Sequence, residues 1–359
     1  MNRNFRILIL NDGNKGNFIQ SCGIAQNFPS SKIDVLKIEL KGPKYKLPKR
    51  KGQYPLLLKF LNLFCYLRFF KTGILFLKLY SKKIKEKMNK NYDFIISTGS
   101  LLSPVNILLS KKLNAYSIQI MVPDGVPLSL FDFLIVPYHD YIRLKNKGRN
   151  IITTLGAPNM IDERMKEEAI KKIPEWVKKK IRKKIISVLI GGNDQNYKIS
   201  LKWIENFKRG IEKMKNKFQF YLTTSRRTDE KVVSFIIENF KNDEDILFIE
   251  IPDISNVSIY PSILFLSDVI LVTEDSINMI SEAASTGKRV IILGVERKTD
   301  KKLIFDYTIE KFVEKGYSEY IPYDKVIDLS DIVEEVLKKK YKKLNEAKLC
   351  VQKILQNIN

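Results

Sequence analysis

Val188-Leu189-Ile190-Gly191-Gly192-Asn193-Asp194 carries a short apolar run into two glycines and two polar residues, and helical spacing resumes from about Ile199. An apolar strand, a glycine-rich turn and a helix, in that order, present backbone N–H groups without Cβ obstruction near a helix start, as a phosphate or sugar requires. The same pattern extends in both directions. Upstream, apolar runs fall at Phe5–Leu10, Ile33–Leu40, Asp93–Thr98, Ala115–Met121, Asp132–Pro137 and Ile151–Leu155. In the second half they fall at Ile185–Ile190, Phe218–Thr223, Ile246–Ile251, Val269–Thr273 and Val290–Leu293. Continuous apolar runs separated by helical patterns indicate parallel strands covered on both faces. Two such series in 359 residues predict an α/β protein with two Rossmann-like, doubly wound domains. The expected division is 1–160, a charged linker over 161–184, a second domain over 185–329, and one long C-terminal helix over 330–359 with Ser330 as its cap.

Composition narrows the function. Hydrophobic residues make up 44% and charged residues 29%, which excludes a disordered or collagen-like chain. The net charge of +23 points to a polyanionic partner, although Lys, Ile and Asn are used heavily throughout, as in AT-rich genomes. Three scattered cysteines, Cys22, Cys65 and Cys350, give neither a disulfide framework nor a zinc site, and a lone histidine, His139, excludes a centre built on several imidazoles. No metal and no cofactor are expected. The apolar stretch Pro55–Tyr80 is interrupted by Lys59, Arg68, Lys71 and Lys78, so it suits a helix lying in a membrane interface better than one crossing the bilayer. The basic tracts Lys44–Lys51 and Ser81–Lys90 would add attraction to an anionic membrane surface. Ordinary core helices with snorkelling lysines are the competing reading. The lysine runs lack interleaved stacking aromatics, so nucleic acid is not an expected partner. The chain reads as cytoplasmic, peripheral on the inner face of the cytoplasmic membrane.

In parallel sheets, ligands bind where strand carboxyl ends feed helix starts. After the first strand come Asp12, Gly13, Gly16, Asn17 and, on the helix, Gln20. After the fifth strand come His139 and Asp140, an imidazole with an adjacent carboxylate that could orient it as a general base. The second half offers Gly191, Gly192 and Asn193, then Ser225 with the adjacent Arg226 and Arg227, a pair able to fork onto phosphate. Thr273, Asp275 and Ser276 follow, with Ser276 expected to cap a helix whose early amides suit a diphosphate. Glu282 lies about 600° of helical rotation further on and could reach a ribose.

Taken together, VPYHD (136–140), TLGAPN (154–159), LIGGN (189–193), TTSRRT (223–228), VTEDSINMISEAASTGK (272–288) and the opening NDGNKGN with Gln20 resemble the plant elongated-mitochondria fission-factor family and its bacterial homologues. The resemblance runs from the first strand to about Val295. It implies a GT-B-like architecture, two Rossmann-like domains facing a cleft, similar to glycosyltransferases that build lipid-linked saccharides. It also implies a nucleotide-diphosphate sugar held mainly by the second domain: Gly191, Gly192 and Asn193 near phosphates or sugar, the Ser276 helix on the diphosphate and Glu282 on the ribose. The related transferases place a histidine in the first glycine-rich loop, and this chain has none there. Asp12 or His139, the latter with Asp140, is left to deprotonate an acceptor hydroxyl, with Gly13, Gly16, Asn17 and Gln20 on the acceptor side. Bacterial members have also been described as sugar-nucleotide epimerases, an activity the missing G-x-G-x-x-G and Tyr-x-x-x-Lys patterns weigh against. The expected function is a metal-independent transferase moving a sugar to a lipid-linked or cell-envelope saccharide. The alternative is a non-catalytic scaffold that recruits a partner to a membrane.

Overall fold

Each apolar run becomes a strand because its β-branched side chains pack on both faces of a pleated sheet. A computed structural model describes residues 4–38, 56–80 and 82–358 of the chain; the basic tract Lys44–Lys51 lies outside them. The chain divides into two units, residues 1–160 with 346–359, and residues 161–345.

The first unit is built on β1 (Arg6–Asn11), β2 (Lys32–Lys37), β3 (Phe94–Thr98), β4 (Tyr116–Ile120), β5 (Phe133–Pro137) and β6 (Ile151–Thr154). All six are parallel, in the order β2-β1-β3-β4-β5-β6. Alternation along β1 shows how the sheet is covered. Leu8 and Leu10 face a core shared with Leu58, Leu61, Cys65 and Leu77 from the helices Leu56–Tyr66 and Phe70–Tyr80. Ile7 and Ile9 face the opposite core, with Ile24 of the helix Lys15–Gln26 and Cys350, Val351 and Ile354 of the helix Glu346–Ile358.

The second unit contains β7 (Lys184–Ile190), β8 (Tyr197–Lys198), β9 (Phe218–Thr224), β10 (Ile246–Glu250), β11 (Val269–Thr273), β12 (Arg289–Leu293), β13 (Glu296–Arg297) and β14 (Glu319–Ile321). Six of these form a parallel sheet in the order β10-β9-β7-β11-β12-β14, while β8 and β13 pair as a two-residue antiparallel ribbon. Counted along its own sheet, the unit has the 3-2-1-4-5-6 order of dinucleotide-binding folds, and the order reverses between β7 and β11. Ile186, Val188 and Ile190 pack on Trp203, Phe207 and Ile211 of the helix Leu201–Glu212, whose side chains are essentially inaccessible.

Two expected boundaries are corrected. The stretch 161–184 is no free linker: the helix Glu163–Lys171 packs on the helix Ser262–Leu266, and Ile173 and Val177 are buried in the second unit. The 330–359 region is two helices, Leu329–Leu337 and Glu346–Ile358, and the first starts from Asp328 rather than Ser330. Between them the backbone turns outward to hydrogen bond, with the Lys342 N–H donating to Gly316 O and the Leu344 N–H to Ala284 O. Those bonds replace the helical ones that the lysine-rich sequence would otherwise make.

Candidate functional site

The reversal between β7 and β11 gathers most of the residues expected to hold a donor. Thr273 Oγ1 accepts from the Gly191 N–H at 2.8 Å and donates to Asp275 Oδ1 at 2.7 Å, while Asp275 Oδ2 accepts from the Gly192 N–H at 2.9 Å. The Asn193 N–H donates to Arg227 O at 3.0 Å. All three amides of the glycine turn are therefore engaged inside the fold, where the sequence suggested they would face a ligand. The glycines serve a close approach of another kind: a Cβ on Gly192 would stand 2.2 Å from the Arg227 carbonyl carbon. The turn after β9 lies directly on the turn after β7.

That contact divides the arginine pair. Ser225 and Thr228 close their turn by hydrogen bonds to its own backbone, and the Thr228 hydroxyl donates to Gly191 O. Arg227 then folds inward. Its guanidinium bonds Asp275 Oδ2 at 2.8 Å and stands 3.7 Å from Asp194. Burial drives the Asp275 pKa up from its ordinary value, and the Thr273, Gly192 and Arg227 donors oppose that rise. Arg226 instead pairs with Asp253, at 3.2 Å, with both side chains well exposed. An exposed pair of this kind is weak, so Arg226 is free to exchange its partner.

Ser276 begins the helix Ile277–Ser285 but makes no side-chain cap. Its hydroxyl thus takes none of the first-turn amides, at a helix end that carries partial positive charge. Further along the helix, Glu282 is largely buried and accepts from the Tyr260 hydroxyl. Desolvation, then the negative charge of Glu282, raise the Tyr260 pKa well above normal, so the phenol stays protonated and donating.

Sequence reading missed the companions of these groups. Glu274, next to Asp275, is equally buried but faces an opposite set of partners: Arg297, the Val295 N–H at 3.0 Å and the Tyr320 hydroxyl at 3.2 Å. Arg297 also bonds Asp306 at 3.0 Å, and Arg297, Asp306 and Tyr320 line an open cavity with Lys302 and Glu310. Glu250, at the end of β10, is held by the Tyr221 hydroxyl at 2.8 Å and by the Ile259 and Tyr260 N–H groups. Two consecutive acids after an apolar strand were the available signal, since burial of either demands a cation supplied by another segment.

In the first unit the strand order reverses between β1 and β3. Asp12 sits there, accepting from the Asn14 N–H and from Asn17 Nδ2, each at 2.9 Å. Gly13 has φ +86°, a left-handed turn that a side chain would strain, whereas Gly16 is an ordinary helical residue. Gln20 is buried on the same helix. His139 and Asp140 lie on the single turn Tyr138–Tyr141 after β5, with Nε2 3.9 Å from Asp140. Burial lowers the His139 pKa, Asp140 raises it and Arg143 lowers it, leaving a neutral imidazole as the favoured form near neutrality. Three strand spacings separate β1 from β5, about 14 Å, so Asp12 and His139 belong to separate places rather than one dyad. Among the described residues, no group of three or more His, Cys, Asp or Glu is placed to hold a metal ion.

Comparisons with known proteins agree with this architecture. The chain is similar to the UDP-GlcNAc 2-epimerase of Methanocaldococcus jannaschii, with a TM-score of 0.60 at 15% identity over 99% of each chain. It is similar to a putative UDP-N-acetylglucosamine 2-epimerase of Listeria monocytogenes, at 0.60 and 13%, over 99% of this chain and 96% of that one. It also matches the ADP-heptose lipopolysaccharide heptosyltransferase II of E. coli, at 0.51 and 12%, over 99% of this chain and all of the other. At such identities the likeness is one of fold, and the fold is GT-B-like. An uncharacterised protein of Rickettsia prowazekii is 27% identical over 292 residues, covering 71% of this chain and 77% of its own. The family profile described as Mitochondrial fission ELM1 matches residues 15–358, and the chain therefore belongs to that family.

Proposed function

We propose that the second unit binds a nucleoside-diphosphate sugar at the carboxyl ends of β7 and β11, and that the protein transfers the sugar to a lipid-linked or cell-envelope saccharide. The observation that carries this reading is the Ser276 helix start, uncapped by its own side chain and placed where the strand order reverses. A leaving diphosphate gains negative charge as the glycosidic bond breaks, and preorganised amides with a nearby cation stabilise it without a metal. Arg226 is the cation available to move onto it. Arg227, Thr273 and Asp275 fix the loops around it, and Gly191, Gly192, Asn193 and Ser225 build those loops. Glu282, oriented by Tyr260, would accept ribose hydroxyls. On the first unit, Asp12 and His139 with Asp140 are the candidates to take an acceptor proton, and Gly13, Gly16, Asn17 and Gln20 would flank the acceptor.

Several proteins of similar fold were solved with UDP or UDP-GlcNAc, which makes uridine nucleotides the first to try. A thermal-shift panel of nucleoside diphosphates and their sugars tests binding, and mass spectrometry of the bound sugar nucleotide after incubation with a lipid-linked saccharide extract tests transfer. Nucleotide release with a glycosylated lipid supports the reading. Conversion of the sugar nucleotide to its epimer, with no acceptor, replaces it with epimerisation. No binding by any nucleotide at millimolar concentration replaces it with the non-catalytic scaffold.

A further inference from the structure

We propose that the helices Leu56–Tyr66 and Phe70–Tyr80 form a face that docks the first unit onto an anionic lipid bilayer, an inference independent of which nucleotide or reaction the second unit serves. Leu58, Leu61 and Cys65, at helical spacing, point into the core beside the sheet. The other side of the same hairpin is apolar too, and among the described residues none covers it. Phe60, Leu63, Tyr66, Leu67, Phe69 and Leu75 are 45–67% exposed, and they are six of the sixteen large apolar side chains exposed among the described residues. Sixteen consecutive positions thus hold more than a third of the exposed large apolar residues, a concentration that marks an interaction surface.

Charge selects the occupant. Lys59 and Lys71 on these helices, and Arg68 in the turn between them, are exposed. Between Lys41 and Lys85 the sequence has thirteen Lys and Arg residues and no Asp or Glu. Exposed aromatics and leucines interleaved with cations of one sign fit a headgroup layer, where rings and aliphatic chains enter the boundary and cations remain at the phosphates. Each helix has eleven residues, about 17 Å, against about 30 Å of hydrocarbon, so the face rests in the interface without crossing it. No helix among the described residues is long and apolar enough to cross a membrane.

Flotation of the full chain with vesicles of phosphatidylcholine and phosphatidylglycerol, against phosphatidylcholine alone, tests the docking face. The parent should float with the anionic vesicles and detach as salt rises. The double variant Leu63→Glu/Phe69→Glu should lose binding. The triple variant Lys59→Gln/Arg68→Gln/Lys71→Gln should weaken it by about a hundredfold, at roughly fivefold per cation near the surface. Unchanged thermal midpoints show that the variants fold, and the triple variant, which leaves every apolar side chain in place, stands alone should the double one melt early. Failure of the parent to float with anionic vesicles overturns the proposal, as does binding that neither variant reduces. Self-association without lipid that Leu63→Glu/Phe69→Glu abolishes, with no flotation, would make the face a contact between two copies of the chain and overturn it equally.

Discussion

The Arg227 guanidinium, from the turn after β9, donates to the buried carboxylate of Asp275, after β11, at 2.8 Å, so the pair closes over the carboxyl end of β7 between them. Asp275 has no exposed side-chain surface, whereas Arg227 keeps 43% of its own. The two partners therefore differ in what their loss costs. Removing Asp275 releases a cation that water can take back. Removing Arg227 strands a buried anion.

Arg227→Ala should destabilise the protein by about 3 kcal/mol, the usual cost of unpairing a buried charge. Arg226→Ala, which breaks only an exposed pair, should cost less than about 0.5 kcal/mol. Because the Asp275 pKa is already raised in the fold, protonation favours the folded state. The Arg227→Ala deficit should therefore shrink as pH falls and grow as pH rises through the Asp275 titration. Urea denaturation of both variants across the acid range measures this.

Nucleotide affinity should respond in the opposite order of residues. Arg226→Ala and Glu282→Ala should each weaken nucleotide binding at least tenfold, since a charged hydrogen bond is worth about 1.5–3 kcal/mol. Arg226→Lys should recover only part, because an ammonium cannot reproduce the planar fork. Calorimetric titration with a confirmed donor nucleotide decides the matter, and parental affinity in both alanine variants would displace the donor site from this edge.

Under the proposed transfer, two variants decide which group takes the acceptor proton. If His139 acts, His139→Ala should lower turnover by about 10²–10⁴ with little change in donor affinity. Its lowered pKa places the acid limb of the parent kcat/KM profile below the ordinary histidine value of about 6.5, and that limb should vanish in the variant. If Asp12 acts instead, Asp12→Asn carries the loss and the His139 variant keeps full turnover.

Asp34 on β2 offers a stability test remote from any ligand. It accepts from Lys87 Nζ at 2.8 Å and the Tyr92 hydroxyl at 2.6 Å, which hold its pKa down at about 2. A carboxyl depressed in the fold stabilises above its unfolded pKa, near 3.8, and that contribution fades as pH drops towards about 2. Asp34→Asn should cost about 1 kcal/mol at neutral pH, after allowance for solvent screening of a partly exposed pair, and almost nothing at pH 2. Thermal melts of parent and variant across that window check it.

The strands were legible because parallel sheets demand unbroken apolar runs, and β7, β9 and β11 fall within a residue of the expected spans. The loops were legible as places but not as bonds. Nothing in Gly191-Gly192-Asn193 says that Thr273, Asp275 and Arg227 will take its amides, since those partners lie between about 35 and 85 residues away and only the fold brings them near. Arg297 was passed over for the same reason: its reason for being where it is, the buried Glu274, is 23 residues upstream. The break at residues 338–345 was hidden by lysines, which favour helix locally but here yield to backbone partners at Gly316 and Ala284. The short β14 carries too few apolar residues to announce a strand.

The helix Glu346–Ile358 also fixes an order of events during biosynthesis. Ala347, Cys350, Val351 and Ile354 complete the core around Ile7, Ile9 and Ile24, and Glu346 accepts from the Leu155 N–H at 2.8 Å. On the ribosome, all of residues 161–345 emerge before those side chains exist. The second unit has all of its elements in hand first, although its sheet is encoded second. The nascent first unit must meanwhile carry one incompletely covered sheet face through the synthesis of some 185 residues, a period in which it is a natural client for a chaperone.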